Sequence, residues 1–138
     1  MTASIEIDQT RPLLAVVRFA SVPTDAEFQE YLRKYSELLD SQPRFAAVFV
    51  TAPGLPMTAP RHARWQAEFM KERRRDMEQR IVGVAFSLSS PVMRGVLRGI
   101  LMLQPMPCPH TVVTTEHEGV SWAKAKLWSD HVRRLKDG

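Results

Sequence analysis

Ile81-Val-Gly-Val-Ala-Phe-Ser-Leu-Ser-Ser-Pro-Val-Met-Arg-Gly-Val-Leu-Arg-Gly-Ile-Leu-Met-Leu-Gln104 decides the fold. Its first eight residues, Ile81 to Leu88, are a short apolar run with β-branched and aromatic members, the pattern of a strand covered on both faces. Ser90 can accept hydrogen bonds from the free N–H groups of a first helical turn, and Pro91 suits the first helical position because it has no N–H to leave unpaired. Val92 to Leu103 then reads as a helix. At about 100° per residue, Val92, Leu103, Val96, Ile100, Met93, Leu97 and Leu101 sweep roughly half of its circumference. Arg94 and Arg98 make the one clear polar stripe. A helix on one side of a sheet needs an apolar arc of only about 100°. This helix therefore has apolar surface to spare, and at about 20 Å it is too short to cross a bilayer. The surplus implies a partner protein, an apolar ligand or an adjacent element of the same chain.

Working outward toward the N-terminus, Phe45-Ala-Ala-Val-Phe-Val50 is another continuous apolar run and reads as a central strand. Between it and Ile81 lies Thr51 to Pro60, a loop rich in structure-breaking residues, and then a helix over 61–80. Trp65, Phe69, Met70 and Met77 share its apolar side, with Arg64, Glu68, Lys71, Glu72 and Arg75 opposite. Arg73 falls inside the apolar arc, so either its stem lies on the core with the charge at the edge, or the helix bends before it. Thr24-Asp-Ala-Glu27 is a capping box that opens a helix running to about Asp40, striped by Phe28, Leu32, Tyr35 and Leu39. Ser4 to Asp8 alternates like an edge strand and Leu13 to Phe19 reads as a buried one, with Gln9 to Pro12 closing a hairpin between them.

Toward the C-terminus, Gln104 to Pro109 cannot continue a helix and reads as an extended connector. His110 to Thr115 is a further strand. Thr115-Glu-His-Glu118 is a second capping box, and the last helix extends through about Lys136. Val120, Ala123 and Leu127 mark its apolar face, continued by Trp128, Val132 and Leu135, with Trp122 pointing away. Strands alternate with helices, which predicts one α/β domain over 1–138: a mostly parallel five-stranded sheet, its first strand antiparallel at an edge, with four helices.

Composition fits that picture. The 138 residues are 44% hydrophobic and 25% charged, ordinary for one globular domain. The N-terminus lacks the order of a signal peptide and no apolar run is long enough to span a membrane, so a cytoplasmic protein is expected. One cysteine, Cys108, excludes an internal disulfide and a thiolate-rich metal site. A net charge of +4 is spread through helices that interleave both signs, the look of solvated faces.

The search for chemistry returns no motif. Gly54 is the lone glycine at the strand–helix junctions, so a phosphate cradle is not expected. His62, His110, His117 and His131 are scattered, and no metal or cofactor is expected. Cys108 lacks an evident base and reads as an inert thiol. The runs Lys71 to Asp76 and Val132 to Lys136 do not concentrate basic residues on one face with aromatics, so nucleic acid is not expected either. Arg94-Gly95-Val96-Leu97-Arg98-Gly99 is more suggestive: two glycines one turn apart beside arginines allow close approach of another backbone. The contact residues expected on this basis are Arg94, Gly95, Val96, Arg98, Gly99, Leu101 and Met102. The competing account is that the last helix covers the surplus, with Trp122 or Trp128 folded over it.

The arrangement resembles the SpoIIAA-like, or STAS, fold, the family that includes bacterial anti-sigma-factor antagonists. The resemblance rests on Leu13 to Phe19 with the Thr24-Asp-Ala-Glu-Phe28 helix start, Phe45 to Val50, Ile81 to Ser90 before a basic-apolar helix, and Glu116 to Trp122. It implies a non-enzymatic regulatory module in signalling; the apolar helix over 91–104 is expected to be its contact surface for a protein partner, including a second copy of itself. Family members switch by phosphorylation of a serine in an Asp-Ser-Ser-Gly motif; the matching place here, Thr58 to Arg61, lacks that serine and the glycine. Thr58 is the phosphoacceptor candidate it leaves, with capping of the following helix as its alternative role. The same class also resembles the CRAL-TRIO type, which implies the alternative of a binder or carrier of a lipid or other apolar small molecule.

Overall fold

The computed structural model describes residues 4–41, 44–56 and 58–137. The reading of the N-terminus begins at Met1 to Ala3, outside the described residues, as does Met57 in the loop before the second helix. The elements are β1 (Ile5–Arg11), β2 (Leu14–Phe19), α1 (Asp25–Ser41), β3 (Phe45–Thr51), α2 (Pro60–Glu72), α3 (Arg74–Arg80), β4 (Ile81–Leu88), α4 (Pro91–Leu103), β5 (His110–Val113) and α5 (Glu116–Asp137). They build one sheet in the order β1-β2-β3-β4-β5. β1 is antiparallel to β2 at the edge, and β2 to β5 are mutually parallel.

Each parallel crossover steps one strand in the same direction. The right-handed rule therefore puts α1, α2 with α3, and α4 on one face. On that face Ala15, Val17, Phe45, Ala47 and Val84 meet Phe28, Tyr31, Tyr35 and Leu39 of α1 and Met77 of α3. On the other face Leu14, Val16, Ala46, Val48 and Ala85 meet Val120 and Ala123 of α5. Successive residues of β2 and β3 thus serve opposite cores, as their continuous apolar runs predict.

Three details differ from the sequence expectation. The helix over 61–80 is two helices, so there are five among the described residues. The break falls at Arg73, whose backbone leaves helical geometry (φ −105°, ψ 16°) while its N–H still donates to the Phe69 carbonyl at 2.9 Å. Its guanidinium donates to Asp76 at 2.9 Å, to Asp40 at 2.6 Å and to Ser36, which ties the break to α1. The hairpin turn is Pro12-Leu13 rather than Gln9 to Pro12, because β1 continues to Arg11 through a register shift after Asp8. Leu13 there has φ 60°, a left-handed conformation that is costly for a bulky residue. The third difference lies on α5. Trp122 packs on the second core, over Gly83, where an added Cβ would lie 2.8 Å from its ring. Trp128 and Leu135 do not continue the buried face; they are 67% and 68% exposed. At 22 residues α5 runs about 33 Å, longer than the strands it covers.

Capping follows the sequence closely. Thr24 N–H donates to Glu27 at 2.8 Å and Glu27 N–H to the Thr24 hydroxyl at 3.2 Å. Glu118 N–H donates to the Thr115 hydroxyl at 3.2 Å, but that hydroxyl turns to the Glu118 carboxylate, so the second box is closed side chain to side chain.

Asp8, Glu116 and Asp130 are among the carboxylates held below their ordinary range. The hydroxyl and N–H of Thr10, with Arg18, bring Asp8 down to about 2. Hydrogen bonds from Arg18 lower Glu116, and hydrogen bonds from Arg44 lower Asp130. A depressed folded-state value means the ionised group favours the fold. Its contribution is complete above the unfolded value, near 4, and is lost as the pH falls through the folded one. The urea midpoint is therefore expected to fall steadily between about pH 4 and pH 2. Arg44→Gln should flatten part of that decline. A midpoint level down to pH 2, or a slope untouched by Arg44→Gln, would contradict this account.

Candidate functional site

The site begins where β4 ends. The Ser90 hydroxyl accepts from Met93 N–H at 3.2 Å, and Pro91 occupies the first turn, so α4 starts as its sequence dictates. Arg94 turns back on the end of the strand and donates to the carbonyls of Leu88 at 2.8 Å and Ser89 at 3.0 Å. α4 then lies alongside β4 and β5. β5 is an edge strand of only four residues, so little sheet is available beneath the helix.

The consequence is a helix with no fully buried residue. Met93, Leu97 and Leu101 are half-buried. Val92, Met102 and Leu103 are 74%, 83% and 86% exposed, and Val96 and Ile100 are exposed as well. An added Cβ on Gly95 or Gly99 would meet nothing within 4 Å, so neither glycine is required by packing inside the molecule. Each costs the helix about 1 kcal/mol relative to alanine.

Of the expected contact residues, Gly95, Val96, Arg98, Gly99 and Met102 stand on the exposed surface. Leu101 is half-buried and Arg94 is engaged with the strand end, so neither belongs to the outer face. Val92, Ile100 and Leu103, left out of that set, belong to it. The spacing of the apolar residues could not separate the two groups, because it does not say which part of a broad arc the sheet will cover.

The remaining candidates are dispersed. Cys108 is buried beside the first core, and burial pushes its thiol up to about 12, so it is a thiol and not a nucleophilic thiolate near neutral pH. His62, which the sequence placed in no role, is buried. It stacks on Phe28 at 4.5 Å and meets Asp25 at 2.8 Å, locking the start of α2 onto the start of α1. Thr58 is exposed and does not cap α2, whose N-cap is Ala59 with no side-chain hydrogen bond; Pro60 supplies no N–H there to satisfy. Among the described residues no three His, Cys, Asp or Glu side chains are grouped to hold a metal ion. No helix there is long and apolar enough to cross a membrane. Hollows of about 290 and 370 Å³ lie at the β1–β2 hairpin and along α1, and α4 lines neither.

No family model matches this chain, and no curated protein matches it either. Among solved structures it is similar to an uncharacterised protein of the DUF3478 family from Shewanella loihica, described as having a SpoIIAA-like fold. The superposition has a TM-score of 0.60 at 13% identity and covers 86% of this chain and 91% of that one. The fold is SpoIIAA-like.

Proposed function

We propose that this SpoIIAA-like chain is a non-enzymatic regulatory module that binds a protein partner through the outer face of α4. The observation that carries the reading is the exposure of an apolar helix whose glycines serve no packing within the molecule. Leaving Val92, Met102 and Leu103 in water forgoes roughly 1.5–3 kcal/mol for each side chain. Exposed apolar surface gathered on one element marks a place of association. The SpoIIAA-like fold supports a role in protein binding, and its anti-sigma-factor-antagonist members supply the regulatory analogy.

Gly99→Leu tests it. The added side chain enters open space and replaces a poor helix former, so stability should hold or rise by up to about 1 kcal/mol. Association with a partner, or with a second copy, should fail because the close approach is blocked. A variant that unfolds, or that associates like wild type, would sink the proposal. Native mass spectrometry of freshly purified protein separates the CRAL-TRIO-like alternative: a co-purifying apolar small molecule favours the carrier, and a bare chain or a protein complex favours the module.

A further inference from the structure

The outer face of α4 constrains its occupant more tightly than exposure alone. Viewed down the helix at about 100° per residue, Met93, Leu97 and Leu101 point to the sheet while Gly95 and Gly99 lie nearly opposite. The outermost line of the helix is therefore bare backbone, open to 4 Å around each would-be Cβ. Val92, Val96 and Leu103 stand along one flank, Met102 and Arg98 along the other. Arg98 is exposed, and among the described residues nothing pairs with it. Between Arg80 and Glu116 the sequence contains no aspartate or glutamate, so the charge carried by this helix and the segments that adjoin it in sequence is wholly positive.

Three occupants can be weighed against that surface. A lipid surface gains from bulk on the outermost line of an interfacial helix, and two glycines remove that bulk where it would insert deepest. A second copy fits poorly for a reason of symmetry. In an antiparallel two-fold pair the arginine flank meets the arginine flank, which brings Arg98 against its counterpart. In a parallel pair each Arg98 faces the apolar flank of the other helix. Either way the interface holds charge without a partner, which association does not repay. A helix of a different protein meets every demand. It can lie close over Gly95 and Gly99, seat apolar residues against Val92, Val96 and Leu103, and offer a carboxylate to Arg98.

We infer that α4 docks an acidic amphipathic helix of another protein, with its backbone over Gly95 and Gly99 and a carboxylate on Arg98. This rests on the reading of α4 as a contact surface and adds the chemistry of what it contacts.

The test is a selection of displayed helical peptides, randomised at edge and contact positions, on the full chain with counter-selection on Gly99→Leu. The expected result is enrichment of Asp or Glu at one edge position, with binding weakened about tenfold or more by Arg98→Glu. Selection repeated on Arg98→Glu should enrich Lys or Arg there instead. Sedimentation of wild type should show a monomer. Helices that bind in a Gly99-dependent way without acidic preference would overturn the inference and leave the contact surface standing. So would a wild-type dimer abolished by Gly99→Leu. Arg98-dependent binding to vesicles of phosphatidylglycerol would overturn it in favour of a membrane. A monomer that selects no Gly99-sensitive helix would overturn both readings.

Discussion

Leu39→Ala is expected to cost the fold about 2–5 kcal/mol, whereas Leu103→Ala should change it by less than about 0.5 kcal/mol. The same chemical change is made at two leucines in helices of one chain. Leu39 is 0% exposed and sits between α1 and the sheet, where truncation removes buried methyl groups and leaves a cavity that neighbouring side chains fill only in part. Leu103 is 86% exposed at the end of α4, so the folded and unfolded chains hydrate it almost alike. Urea unfolding of both variants, at unchanged m-value, gives the comparison. A cost at Leu103 approaching that at Leu39 would mean that α4 is core and not a surface for a partner.

Asp130→Ala is expected to destabilise the protein by about 2–4 kcal/mol. Asp130 is an acid on a helix packed against the sheet, with its side chain only 7% exposed. Arg44, just before β3, holds it with two hydrogen bonds at 2.7 and 2.9 Å, and Arg133 adds a third at 2.8 Å. The Arg44 guanidinium also donates to the Gln79 carbonyl at the end of α3, so one ion pair joins α5, β3 and α3 across the end of the sheet. Truncating the acid leaves a guanidinium whose side chain is three-quarters covered without its counter-charge, and that loss exceeds the net worth of the pair. Replacing both partners, as in Arg44→Met with Asp130→Leu, should recover much of the loss, because no uncompensated charge remains. A single Asp130→Ala variant within about 0.5 kcal/mol of wild type would show that water already screens the pair.

The Arg18 pairing works in a similar way at the other end of α5. Its guanidinium meets Glu116 at 2.8 and 3.0 Å and Asp8 at 3.0 Å, so the start of α5 is fastened to β2 and to the edge strand β1. Neither pair has a sequence signature. Arg44 and Asp130 are 86 positions apart and Arg18 and Glu116 are 98 apart, and no local periodicity connects such residues.

By itself the sequence determined the order of the elements, their types and most of their starts, because those are set by short-range physics. Continuous apolar runs require strands covered on both sides. Thr24, Ser90 and Thr115 cap helices through bonds spanning three residues, and Pro60 and Pro91 begin helices for want of an N–H. The parallel sheet followed from the alternation, and the excess apolar arc of α4 followed from counting positions around one helix. The break at Arg73 was foreshadowed by a charge on an apolar face, but Ser36 and Asp40, which hold it, had to be brought there by the fold. Only the tertiary structure decided which apolar residues are core and which are surface. A helical wheel puts Trp128 on the apolar face of α5 and Trp122 away from it, yet Trp122 lies over Gly83 and Trp128 in water, because helix length, strand length and the gap above a glycine decide it. The same holds for α4: its sequence says how much apolar surface it has, and a four-residue edge strand beneath it decides how much of that surface is left for a partner.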